Sequence, residues 1–172
     1  VYPKTGIFPT FITGNPRIDL CGEKYRDFFD KKSRSMKNIF GDYFLITDNL
    51  PVERYSGRPV KPSKRVGYST EDISLFERRE RYTKELREKF IKFLAECANN
   101  LPLYNFILRP HPVASPTRYA EALSEYRNVH IVFKDSVEHW LRGSKGLIST
   151  GCTSAIMARE MNIPYFHFKS ET

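Results

Sequence analysis

Short apolar runs alternating with longer amphipathic stretches predict an α/β fold, a parallel sheet with helices on both of its faces. Three observations carry that prediction. The strand candidates Tyr43–Thr47, Tyr104–Leu108, Val129–Phe133, Gly146–Ser149 and Pro164–Phe168 are largely apolar along their length rather than alternating. Strands buried on both faces read this way, whereas strands with one wet face alternate. Between them lie segments with apolar residues at three- and four-residue steps, the helical period that returns the chain to the same sheet edge. Polar, proline- or glycine-bearing turns close the strands at the ends where ligands bind in open sheets of this kind.

Composition sets the bounds. A chain of 172 residues with 40% hydrophobic and 14% aromatic content can bury one core, so residues 1–172 are read as a single domain. The net charge of +8 favours an anionic partner: a nucleotide, a nucleic acid or an acidic membrane surface. Cys21, Cys97 and Cys152 are odd in number and far apart, so no disulfide framework or zinc pattern follows from them, which fits a reducing compartment. No apolar run is long enough to span a bilayer, and no signal peptide is evident. The chain opens Val1-Tyr2-Pro3-Lys4 without an initiator methionine, as a piece of a longer protein does.

Each element has its local reason. Tyr43–Thr47 is bounded by Gly41-Asp42 and Asp48-Asn49 and suits a buried strand. Residues 49–68 hold three prolines, two glycines and many basic side chains, so they read as a long loop. Thr70, Glu71 and Asp72 open a helix, with acids favourable in its first turn. Phe76, Tyr82, Leu86, Phe90, Phe93, Leu94 and Cys97 give that helix an apolar face, and it ends near Asn99-Asn100-Leu101-Pro102. Residues 116–126 start a helix with proline in its first turn, residues 136–142 form a short one, and residues 153–162 follow the fourth strand as another.

Three motifs carry chemistry. Gly146 through Ser154 reads as a strand, a tight hydroxyl-rich turn and a helix start, which aims backbone N–H groups at one point and invites an anion. The competing reading is a helix start capped by its own Ser and Thr residues. Arg109-Pro110-His111-Pro112 either makes a rigid turn or presents an imidazole to a phosphate or sugar oxygen from a backbone fixed by prolines. Thr13-Gly14-Asn15-Pro16-Arg17-Ile18-Asp19-Leu20 is a stiff turn whose Arg–Asp pair either stabilises it or reaches a ligand. Cys152 lacks a neighbouring histidine and reads as a small buried thiol rather than a nucleophile; His130 and Trp140 read as core residues. Arg54, Arg58, Lys61, Lys64 and Arg65 form a basic loop, either solvated or facing a membrane or nucleic acid.

Taken in order, the three motifs resemble the C-terminal, donor-binding half of GT-B-fold proteins, and the likeness covers nearly the whole chain. The closest resemblance is to bacterial surface-polysaccharide glycosyltransferases, including those similar to β-Kdo transferases. A more distant one is to UDP-N-acetylglucosamine 2-epimerases. The resemblance implies a Rossmann-like sheet forming one half of a GT-B fold, with residues 1–20 as the hinge segment and the N-terminal half absent. It implies that His111 contacts the donor phosphate or sugar and serves catalysis, and that Arg109 offsets charge on the leaving nucleotide. Ser149, Thr150, Gly151, Thr153 and Ser154 would cradle the phosphate; Thr47, Asp48 and Asn49 would line the donor cleft. Asn15, Arg17 and Asp19 would face that cleft from the hinge, Asp19 as a candidate for a direct role in glycosyl transfer, set against an Arg17–Asp19 salt bridge. The sequence departs from the pattern where many GT-B proteins hold the ribose with a glutamate: the matching place falls near Met157, and Glu160 lies a turn further.

The resulting expectation is a cytoplasmic nucleotide-sugar-binding domain of a glycosyltransferase, docked on the inner membrane face through basic residues. It would transfer a sugar, Kdo from CMP-Kdo in one version, to a cell-surface polysaccharide whose glycan acceptor is held by the missing half. No cofactor or metal is required, and the sequence has no Asp-x-Asp pair. A sugar-nucleotide 2-epimerase and a CDP-linked polymer transferase share the same half-domain logic. A non-catalytic nucleic-acid-binding domain is the alternative of another class; the aromatics fall at buried spacing, which argues against nucleic acid as partner.

Overall fold

The computed structural model describes residues 14–50, 67–111 and 117–169. The order is α1 (Pro16–Asp19), a 3-10 turn (Glu23–Tyr25), α2 (Arg26–Phe40), β1 (Tyr43–Thr47), α3 (Thr70–Asn100), β2 (Asn105–Arg109), α4 (Thr117–Ala122), β3 (Val129–Ile131), α5 (Val137–Gly143), β4 (Gly146–Ser149), α6 (Ser154–Glu160) and β5 (Tyr165–His167). The five strands form one parallel sheet in the order β3-β2-β1-β4-β5. The fold is therefore the expected Rossmann-like one, with the strand order reversing direction between β1 and β4.

Alternation along the strands sorts the core into two layers. Tyr43, Leu45, Ile107 and Leu147 point to one face and meet Phe29 and Met36 of α2, Trp140 and Leu141 of α5, and Met157 and Ala158 of α6. Ile46, Phe106, Leu108 and Ile148 point to the other and meet Phe90, Leu94 and Ala98 of α3 with Tyr119 and Leu123 around α4. Both faces are dry, and each fully buried Phe or Leu contributes about 1.5–3 kcal/mol.

The main strands and α3 lie where the sequence predicts them, and the structure differs in four respects. The buried stripe of α3 is Thr83, Leu86, Phe90, Leu94 and Ala98, while Tyr82 is exposed. Steps of three and then four residues from Thr83 keep that stripe on one side, and Tyr82 lies a full 100° off it. The stiff turn at Asn15-Pro16 is a helix start: Asn15 caps α1 by accepting the Arg17 amide at 3.1 Å, with proline in the first turn. The helix α2 is an element the sequence pattern does not announce. The shorter helices and outer strands are trimmed, α4 to Thr117–Ala122 and β3 to Val129–Ile131. The basic loop residues Arg54, Arg58, Lys61, Lys64 and Arg65 lie outside the described residues.

Candidate functional site at the carboxyl ends of the strands

Register aligns the last residues of four strands. Thr47 pairs with Arg109 on one side and with Ser149 on the other, and Ser149 pairs with His167. Parallel partners share a face, so Arg109, Thr47, Ser149 and His167 form one row across the sheet, on the side covered by α5 and α6. Neighbouring strands are roughly 4.8 Å apart.

The centre of that row is a cluster of hydroxyls around a thiol. Thr47 Oγ1 lies 3.1 Å from Cys152 Sγ and 3.1 Å from Ser154 Oγ. Ser149 Oγ lies 3.3 Å from the same sulfur and accepts the Gly151 amide at 3.1 Å. Cys152 also contacts Ser154 directly. Across the strand-order reversal, the Asn49 amide donates to Thr150 Oγ1 at 3.0 Å, which ties the end of β1 to the turn after β4. Gly151 has φ of +103°, a conformation that strains any residue with a side chain.

This arrangement differs from a helix start capped by its own hydroxyls. Thr153 stands at the N-cap of α6 but makes no side-chain capping bond. Ser149 and Ser154 turn instead toward Thr47 and Cys152. The hydroxyls therefore join two strand ends rather than finish a helix, and Cys152, half-buried, is the hub among them rather than an inert core thiol. Cys21 fits that inert description better: it is 2% exposed and pushed up to about 11, chiefly by burial.

The other expected site residues divide among three places. Asp48, one step beyond Thr47, points to the opposite face and is 6% exposed. Its carboxylate accepts the Tyr119 hydroxyl and the His111 backbone amide, and burial holds it above the usual carboxylate range despite these bonds and the nearby Arg87 charge. The Arg109–His111 turn is thereby anchored to β1, with His111 half-buried. Arg109 sends its two terminal nitrogens to the carbonyls of Lys134 and Asp135, the second at 2.7 Å, and burial lowers its basicity. Its charge thus secures the loop after β3.

On α1, which packs against α6, Arg17 donates to Glu138 of α5. The partner of Arg17 is Glu138 and not Asp19, which overturns the expected pair. Glu138 is buried; desolvation pushes it up, but the Arg17 bond, the local backbone and Ser136 together hold it below its usual value. Asn15 uses its side chain to cap α1, and Asp19 is exposed near Gly14.

Sequence reasoning missed Tyr119, Glu138, Tyr165 and His167. The first two sit inside helices whose facing could not be phased, and the last two acquire meaning only through register with β4. Among the described residues no group of His, Cys, Asp or Glu is disposed to hold a metal, and no helix is long and apolar enough to cross a membrane. What the site offers is hydroxyls, amides and an adjoining imidazole at the carboxyl edge, a set suited to holding an anionic oxygen.

Neither a protein-family profile nor a curated protein sequence matches the chain. A solved structure does: the UDP-GlcNAc 2-epimerase of Methanocaldococcus jannaschii, in complex with UDP-GlcNAc and UDP. The match covers 90% of this chain and 38% of the epimerase chain, with a TM-score of 0.50 and 14% identity. At that identity the likeness establishes the fold, and the chain spans less than half the length of that enzyme.

Proposed function

We propose that this chain is the nucleotide-sugar-binding half of a two-half enzyme of the GT-B and epimerase type. The observation that supports it most is the Thr47–Ser149–Cys152–Ser154 cluster at the carboxyl ends of β1 and β4. In open parallel sheets ligands bind where the strand order reverses, and there a phosphate finds amides and hydroxyls already in place. His111 stands at the next strand end, on a turn held by Asp48.

The structural likeness favours an epimerase-like use of this half, acting on a UDP-linked sugar. In that reading the acids and bases that work on the sugar come from the companion half. The motif order Thr-Gly-Asn-Pro-Arg, Arg-Pro-His-Pro and Ser-Thr-Gly-Cys-Thr-Ser supports a second reading, transfer from a CMP- or CDP-linked donor such as CMP-Kdo to a surface glycan. There the departing phosphate gains negative charge, which the turn amides and His111 stabilise by donating to it, and Asp19 at the end of α1 is the carboxylate offered for transfer.

Calorimetric titration with UDP, CDP, CMP and GDP, on this chain and on a protein carrying both halves, tests the proposal. Saturable binding of one nucleotide, weakened at least tenfold by His111→Ala, is expected; UDP as the ligand selects the epimerase-like reading, and CMP or CDP selects transfer. Absence of binding to either protein overturns it.

A further inference from the structure

The row at the carboxyl edge has a fourth member that no motif announced. His167 closes β5 in register with Ser149, on the same face as Thr47 and Arg109. Its side chain leans over the glycine of the turn. A side chain built on Gly151 would begin 3.4 Å from His167 Nε2. The imidazole is exposed, so it remains open to a ligand.

A second residue holds it there. Tyr165, two positions earlier and on the same face, lays its ring against the imidazole at 6.0 Å and 22°. Burial, and then the nearby Cys152 thiol, raise the Tyr165 phenol, which places it beside the turn as well. The Phe168 amide donates to the Ser149 carbonyl at 2.9 Å and pins the chain immediately after His167. The turn is thus bracketed by Thr47 and Asn49 from β1 and by Tyr165 and His167 from β5. Glycine at 151 meets the turn's positive φ, and a Cβ there would stand in ordinary contact with the imidazole, which therefore lies directly beside the turn.

We propose that His167 is a ligand-contacting residue of this site, donating from its imidazole to a phosphate oxygen seated on the Ser149–Ser154 turn, with Tyr165 as the residue that orients it. The inference rests on the nucleotide-sugar reading above and deepens it, assigning His167 to the phosphate rather than to the base or sugar. Loss of a hydrogen bond to a charged group corresponds to a ten- to hundredfold weakening.

The test is titration of the two-half protein with UDP, CDP, CMP and GDP, followed by displacement of the bound nucleotide with inorganic pyrophosphate. His167→Ala and His167→Gln are compared with wild type, with thermal melting to confirm folding. The expected result is a ten- to hundredfold loss for nucleotide and pyrophosphate alike in His167→Ala, partly restored in His167→Gln, whose amide also donates. Wild-type affinity for both ligands in folded His167→Ala overturns the assignment while leaving the nucleotide reading intact. Loss of nucleotide with unchanged pyrophosphate overturns it too, since the contact then lies on base or ribose. A wild-type protein that binds none of the four nucleotides overturns the underlying reading instead.

Discussion

The hydroxyl of Tyr119 donates to the carboxylate of Asp48, and through that bond the first helix after the Arg109–His111 turn is fastened to the end of β1. Both residues are almost fully buried, at 2% and 6% exposure. The same carboxylate takes the His111 amide, so one acid fixes two strand ends. Asp48 therefore acts as a positioning residue for His111.

Tyr119→Phe removes the donor but leaves the buried acid. Urea denaturation should show a loss of about 1–3 kcal/mol, the cost of an unmet buried polar group. Nucleotide affinity should fall as well, and little further when His111→Ala is added, because the two changes act on one turn. Additive losses of affinity would break the link between Asp48 and His111.

Gly143 is a steric requirement at the opposite end of the sheet. A side chain there would begin 2.5 Å from Tyr43 Oη and 3.1 Å from the Ser33 carbonyl, while that hydroxyl donates to the Trp140 carbonyl at 2.7 Å. Gly143→Ala should cost about 1–3 kcal/mol by overpacking. Adding Tyr43→Phe should recover part of the loss in the same denaturation assay. A neutral Gly143→Ala would contradict this packing.

The Arg17–Glu138 pair joins α1 to α5. Arg17 is 59% exposed, so its own charge is well screened, but Glu138 is 6% exposed and keeps one oxygen without a hydrogen-bond partner among the described residues. After discounting for solvent, Arg17→Ala should destabilise by about 1 kcal/mol at neutral pH. The loss should shrink as acid protonates Glu138, because a depressed carboxylate stabilises only above its unfolded value and gives that up as pH falls. Stability curves for the two proteins that stay parallel down to acid pH would refute the pairing.

His130 and His139 are both held below their ordinary value, chiefly by burial, and for His139 by Lys32 as well. The folded state therefore prefers them neutral. Their contribution is complete above the unfolded value of about 6.5 and is lost as pH falls through the lower folded values. Melting temperature should drop between neutral and mildly acid pH, and His130→Gln, which keeps a donor for Asn105 Oδ1 at the 2.9 Å contact, should flatten part of that slope. An unchanged slope in the variant would contradict the assignment.

Legibility in the sequence followed the strength of local signals. Tyr43–Thr47 and Gly146–Ser149 were plain because a strand buried on both faces is apolar throughout. The helix α2 was hidden because only Phe29, Ser33 and Met36 are fully buried, one of them polar, among many charged neighbours. At the site, Ser149 to Ser154 was visible as a hydroxyl run, yet the direction of those hydroxyls depends on Thr47, a hundred residues away. His167 carried no local signal, since its role arises from a register no spacing encodes.

The most direct measurement is amide chemical-shift mapping of this chain with the nucleotide that binds it. The shifts are expected to concentrate on Thr47–Asn49, Arg109, His111, Ser149–Ser154 and His167, at the carboxyl edge of the sheet. Shifts gathered instead on α3 or along the opposite edge, with that row unmoved, would contradict it.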